Sequence, residues 1–342
     1  MNRRRPTLHD VASLAGLSKS TAARALSGNG PVAAKARQRA AAAALELGYE
    51  PNQQAISMRS GQSRLIGLVI PDIANPFWAE VAKGAQDRAV EADLSLLCFS
   101  SDWQSDREAR HLRALVRARV DGAIVNPVAD SAAALHAFGL PLVLIGSSAG
   151  GFPGLPAVGT DIAQSVRLGL DFLNRRGHGT PALIVGPFSR IARTRFVAAV
   201  QERLGTEVIE TETADYTVEG GQAAMGRLLD RPRRSHLAVF AANDLMALGA
   251  MLALRDRGLD CPDDASLLGF DGIGAGAFSS PGLTTVAKPA RALGARAVAM
   301  LVEAIEGRPA EGPVHLPGWL IERGSVADLA APAALRVAGG SR

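Results

Sequence analysis

Three stretches of the sequence carry residue types at spacings that chemistry could use. GSSAG at 146–150 follows an apolar run and fits G-x-S-x-G, the turn that raises a nucleophilic serine. That turn needs a helix directly behind the serine, and GFPGLP follows instead. GIGAGA at 272–277 imitates a dinucleotide-binding glycine loop, but SSPG at 279–282 leaves no room for the phosphate-binding helix, and no acid follows at the required distance. The six histidines are scattered without metal-ligand spacing. No catalytic residue, cofactor or metal is therefore expected, and an α/β enzyme stays open only as an alternative lacking a convergent catalytic set. The third stretch, GLSKSTAARALSGNG at 16–30, is different. Lys19, Ser20 and Arg24 crowd the outer side of one short helix, while Ala22, Ala25 and Leu26 fall on the other. An arginine so presented can bind guanine O6 and N7 together, worth ~1–3 kcal/mol of discrimination.

Charge supports a polyanion partner for that end of the chain alone. Through Arg64 there are ten Lys and Arg against three acids, Asp10, Glu46 and Glu50, whereas the remainder has 27 basic and 30 acidic residues. The elements that would position the helix are two more short helices. One carries Leu8, Val11, Ala12 and Ala15 and stops at Gly16; the other runs from about Ala33 to Leu47 and meets Gly48. Together they read as a helix-turn-helix unit, with an ordinary helical hairpin as the alternative.

Beyond Arg64 the pattern changes. Apolar runs at 65–71, 94–100, 121–127, 140–146, 181–187, 207–212, 236–242 and 265–271 alternate with helical segments at 76–92, 105–119, 161–176, 190–204, 217–230, 244–257 and 289–307. Such alternation predicts parallel sheets covered by helices on both faces, in two lobes. LPAVGTDIAQ at 155–164 reads as a crossing between them, with another near 286–290. Cys98 and Cys261 stand apart and read as two buried thiols of a reducing compartment. No apolar run is long enough for a membrane span and no signal peptide is read, so a cytoplasmic protein is expected.

TLHDVASLAGLSKSTAARALSG followed by ALELGYEPNQQA resembles the N-terminus of the LacI/GalR family of bacterial transcription regulators. The likeness continues through RLIGLVIPDIANPFWAEVAKG, TVEGG (217–221), AANDLMALGA (241–250), LLGFDGI (267–273) and SPGLTTV (280–286), in family order along nearly the whole chain. It implies an all-α helix-turn-helix domain at 1–50, a hinge segment at 51–63 that forms a helix on DNA, and a two-lobed α/β domain at 64–342 of the periplasmic-binding-protein type, which binds effector and dimerises.

The resemblance also implies roles. Lys19, Ser20 and Arg24 occupy base-reading positions; Thr7, Thr21 and Asn29 contact phosphate or position the helix; Met58 stands where relatives wedge a leucine into the minor groove. Asp72, Trp78, Asn126, Arg195, Tyr216, Asn243 and Asp271 match effector contacts, with Asp161 and Arg190 as further candidates. The implied partners are roughly palindromic double-stranded operator DNA, a carbohydrate-like small molecule and a second copy of the chain, with no membrane. A homodimer is expected because ADLAAPAALRVAGGSR lacks a leucine heptad. Many relatives carry a sugar-binding Asp where this chain has Gly146, which implies a lost acceptor and freed space. A free-standing solute-binding protein is the remaining alternative.

Overall fold

The computed structural model describes residues 6–27, 31–49, 62–128, 131–146, 151–186, 190–205, 210–232, 236–308 and 312–330, the side chains of 190–192 excepted. Contacts divide the chain into two compact units, Met1–Ser63 and Arg64–Arg342. Among the described residues no helix is long and apolar enough to cross a membrane.

The first unit is built from α1 (Leu8–Ala15), α2 (Lys19–Ser27) and α3 (Ala34–Leu47). Thr7 caps α1 in a reciprocal box: its hydroxyl accepts from the Asp10 backbone N–H, and the Asp10 carboxylate accepts from the Thr7 N–H at 2.7 Å. Gly16 ends the helix at φ 59°, and Arg39 of α3 donates to the Ala15 and Gly16 carbonyls, fixing the turn into α2. The core is small, with Val11, Ala15 and Ala43 flanked by Leu17, Leu26, Leu47 and Tyr49. So little buried area predicts marginal stability for this unit by itself.

The second unit holds two six-stranded sheets. In the first lobe β1 (Leu65–Ile70), β2 (Ser95–Ser100), β3 (Gly122–Val125), β4 (Leu142–Ile145) and β5 (Ala157–Thr160) lie in the order 2-1-3-4-5. In the second, β6 (Ala182–Val185), β7 (Thr211–Thr213), β8 (Leu237–Ala241), β9 (Ala265–Asp271) and β10 (Thr284–Ala287) repeat it as 7-6-8-9-10. Two short strands close the far edges: β11 (Val314–Leu316) runs parallel to β5, and β12 (Trp319–Ile321) antiparallel to β10. The inner strands are mostly apolar because helices cover both faces, with Thr160, Ser266, Asp271, Thr284 and Thr285 as buried polar exceptions. In the first lobe α4 (Pro76–Glu91) and α12 (Ala290–Ile305) pack on one face and α5 (Ser105–Arg117) with the short α6 (Ala132–His136) on the other. In the second, α9 (Val218–Leu229) and α10 (Asp244–Asp256) cover one face, α7 (Ile162–Arg175) and α8 (Arg190–Leu204) the other, and the short α11 (Ala275–Phe278) follows β9.

Residues 157–160, read as connection, are a strand, and the chain crosses lobes immediately after it, where Asp161 caps α7. It returns between β10 and α12 and crosses a third time between β11 and β12. The sequence does not announce that third crossing, because three-residue strands around Pro317 and Gly318 carry little periodicity. Cys98 is exposed rather than buried, on the edge strand β2, none of whose residues is fully covered; Cys261 is half-buried.

Candidate functional site

Strand order reverses between β1 and β3 and again between β6 and β8, and in open α/β sheets such switch points open a crevice at the carboxyl ends of the strands. Both crevices face one cleft. The first lobe contributes Asn75 and Trp78 from the start of α4, Trp103 after β2 and Asn126 after β3. From the second come Arg193 and Phe196 of α8, Tyr216 before α9, Asn243 after β8 and Asp271 at the end of β9; Lys288 comes from the crossing after β10.

Each polar side chain is held. Asn75 caps α4, accepting from the Phe77 N–H at 3.0 Å. Asn126 donates to the Ile145 carbonyl at 2.7 Å. Asn243 caps α10 through its oxygen (2.8 Å from the Met246 N) and donates to the Tyr216 carbonyl at 3.1 Å, so one side chain fixes a helix start and the tyrosine loop. Arg193 donates to the Thr213 hydroxyl at 3.0 Å.

Charge concentrates at the floor. Asp271 is buried and paired with Lys288, whose ammonium lies 4.1 Å from the Phe77 ring centroid and 5.2 Å from that of Phe270. Burial pushes the Asp271 carboxyl up, and Lys288 holds it back. Behind it the fully buried Asp244 accepts from the Gly272 and Ile273 N–H groups, both at 2.8 Å, and from the Thr285 hydroxyl at 2.6 Å. Burial, with a smaller contribution from the Asp271 charge, pushes Asp244 up to about 6.

The mouth is aromatic. Trp103 stacks on Tyr216 from the opposite lobe, ring centroids 4.6 Å apart and planes 22° from parallel. Asp102 and Trp103 are consecutive non-glycine residues at φ 47° and 59°, a conformation that costs about 1–2 kcal/mol per residue. Tyr216 lies so close over Gly186 that any Cβ there would meet its ring. Burial above all, then the Asp271 charge, pushes its phenol up to about 12, so Tyr216 keeps its proton and can donate.

Of the effector positions expected from sequence, Trp78, Asn126, Tyr216, Asn243 and Asp271 line this cleft, and three others do not. Asp72 closes a local turn, accepting from the Ala74 N–H at 2.8 Å, and Asn75 stands in the lining instead. Asp161 is consumed as the cap of α7, accepting from the Gln164 N–H at 2.9 Å. Arg195 follows Arg193 by two positions on α8 and is not among the residues that line the cleft, whereas Arg193 and Phe196, three apart, share its face. Arg190 begins α8, and its side chain lies outside the described set. Gly146 frees no space, because at φ 101° a Cβ would overlap the Asn126 amide and touch Trp78 at 3.2 Å. Sequence reasoning missed Asn75, Trp103, Arg193 and Lys288. A tryptophan inside the polar turn SSDWQSD was the available signal for one of them.

In the first unit Ser18 caps α2, accepting from the Thr21 N–H at 3.1 Å, with its hydroxyl 2.8 Å from that of Thr21. Ala22 is buried, whereas Lys19, Ser20 and Arg24 are exposed. Thr7 is engaged in the cap of α1. Asn29, Met58 and the hinge segment at 51–61 lie outside the described residues, as does most of GSSAG.

Residues 7–52 match the profile of bacterial regulatory proteins of the lacI family, and residues 170–326 that of a periplasmic binding protein-like domain. The chain is 32% identical to the HTH-type transcriptional regulator DegA of Bacillus subtilis, over 94% of this chain and 98% of that protein. Its structure is similar to that of the lac repressor dimer bound to operator and the anti-inducer ONPF (TM-score 0.85, 26% identity, covering 95% of this chain and all of that one). It is also similar to a LacI family transcriptional regulator from Enterococcus faecium with bound ribose (TM-score 0.69, 26% identity, 78% of this chain and 99% of that one). With a helix-turn-helix unit, a two-lobed cleft and near full-length similarity to such regulators, the chain belongs to the LacI family of DNA-binding transcriptional regulators and is not an enzyme.

Proposed function

We propose that the protein is a repressor that binds a roughly palindromic operator as a homodimer and is controlled by a ring-shaped, carbohydrate-like metabolite in the interlobe cleft. The observation that carries the effector class is the pairing of flat aromatic faces, Trp78 and Tyr216, with amide and guanidinium donors from Asn126 and Arg193. Aromatic faces stack on the apolar side of a sugar ring, and amides bridge its hydroxyls. The Asp271–Lys288 pair neutralises itself, so the floor does not demand a charged ligand. The ribose held by the Enterococcus relative supports the same class. The lac repressor's assembly as a dimer on operator supports the quaternary reading, with α4 as the first-lobe dimer surface.

On DNA, Arg24 and Lys19 read bases from α2, with Ser20 beside them, while Thr7 and Thr21 position the helices; Asn29 contacts phosphate and Met58 wedges the operator centre. Effector binding changes operator affinity through linkage between cleft and hinge, with the domain limits 1–50, 51–63 and 64–342. The test has two arms. A thermal-shift screen of the full chain against sugars, sugar acids, nucleobases and amino acids should give a sugar hit, worth about 2.7 kcal/mol at 100 times its Kd. The hit should weaken in Asn126→Ala; a response to nucleobases alone overturns the carbohydrate reading. In gel-shift assays on selected operators, Arg24→Ala should relax preference at one position per half-site by ~1–3 kcal/mol. Equal weakening on every sequence would make Arg24 a phosphate contact.

A further inference from the structure

The stack at the mouth of the cleft does something an open binding site does not need. Trp103 belongs to the first lobe and Tyr216 to the second, so their contact spans the opening. The loop that carries Trp103 is built to hold it there. Asp102 accepts from the Ser100 hydroxyl at 2.5 Å and pairs with Arg107 of α5. The Ser101 N–H donates to the Ile70 carbonyl at 2.8 Å, tying the loop to the end of β1. These contacts stabilise two successive left-handed residues, and strain held in this way clusters at ligand clamps and switches. Beneath the stack the cavity volume is only about 70 Å3. At ~10–15 Å3 per water this holds about five to seven waters, a tight fit for one sugar ring while the indole covers the Tyr216 face.

We propose that Trp103 is an internal lid that occupies the Tyr216 face while the cleft is empty, and that an effector enters by displacing the indole and taking that face. The inference rests on the cleft being the effector site. It makes Trp103 a selectivity residue, because a ligand opens the cleft only by offering Tyr216 a flat face in exchange. Removing the indole therefore removes a competitor: the empty cleft opens and the effector binds more tightly.

The chain has three tryptophans, and Trp78 lies at 7% exposure in the cleft lining. In full-length protein carrying Trp319→Phe, the added change Trp103→Phe leaves Trp78 as the only emitter under an aromatic lid, and Trp103→Ala leaves it under none. Acrylamide should quench Trp78 several-fold more strongly in the Ala form than in the Phe form; equal quenching overturns the lid. Should the Ala form fail to fold, Trp103→Leu replaces it, filling volume without stacking. Calorimetric titration of wild type and Trp103→Ala with D-ribose, D-glucose and D-galactose is the second arm. Binding several-fold tighter in the Ala form supports displacement, and weaker binding overturns it. A quenching difference with no sugar bound by either form keeps the lid and removes the carbohydrate reading.

Discussion

The two lobes use one scaffold and divide the chemistry between them. Each has the order 2-1-3-4-5 with a sixth strand added at the same edge, and each locks a helix pair through facing glycines, Gly84 with Gly294 and Gly221 with Gly249, where a Cβ would meet the partner's backbone. At the strand ends the likeness stops. The first lobe faces the cleft with neutral groups, Asn75, Trp78, Trp103 and Asn126, whereas the second brings Arg193 and Asp271, with Asp244 buried behind. A repeated fold thus fixes where a site lies, and the few residues after each strand decide what it binds. Lys288 joins the two halves: it is on the crossing, pairs with second-lobe Asp271 and rests on first-lobe Phe77.

The largest effect should come from breaking that junction. Lys288→Met leaves the Asp271 carboxylate buried without its cation, which typically costs about 3–5 kcal/mol. Urea unfolding should show most of this loss restored in the double variant Asp271→Asn with Lys288→Met, since no charge then remains to be compensated. The single variant should suffer less at acid pH, where Asp271 takes up a proton. If the double variant were as unstable as the single one, packing of the lysine stem on Phe77 and Phe270 would be the main contribution.

A matched pair of glycine changes sharpens the contrast between the walls. Gly146→Ala puts a Cβ into the Asn126 amide from a backbone at φ 101°, so clash and strain add, and about 1–3 kcal/mol should be lost. Gly186→Ala, after β6 on the second lobe's side of the cleft, displaces the Tyr216 ring without a left-handed backbone, and should cost less stability. The second change should nevertheless disturb the Trp103 stack more, read as a shift in tryptophan emission.

How much of this was legible follows from the same physics. Strands buried on both faces, such as LIGLVI and LAVFA, announce themselves as apolar runs, and Asn75, Asp161, Thr217 and Asn243 mark helix starts that the structure keeps. β10 to β12 give no such signal: they are three or four residues long and are made strands by their neighbours across the sheet. The site was half legible. Residues at the carboxyl ends of apolar runs, Asn126, Asn243 and Asp271, are placed by strand direction alone. Arg193 against Arg195 depends on the rotation of α8, which two arginines flanking Thr194 cannot fix. Lys288 reads as a surface lysine until the pairing with Asp271 is seen, because the two are 17 positions apart and meet only through the register of β9 and β10.

The last contrast concerns Asp244, the acid buried behind the second lobe's side of the cleft. An unfolded Asp titrates near ~3.9, and Asp244 in the fold titrates at about 6. Between those values the folded chain binds the proton more tightly than the unfolded chain, so the Asp244 contribution to stability falls as pH rises from about 4 to about 6 and is level above. Asp244→Asn has no such limb, but it loses hydrogen bonds to the Gly272 and Ile273 N–H groups or to Thr285 at every pH. Urea midpoints of the two proteins from pH 4 to pH 7 should therefore differ most at the acid end and converge toward pH 6. A gap that widens with rising pH would mean that the hydrogen bonds to Asp244 outweigh its burial. The carboxylate would then be a stabilising anchor for the turn that carries Asp271 into the cleft, and the second lobe would owe its charged floor to backbone donors rather than to Lys288.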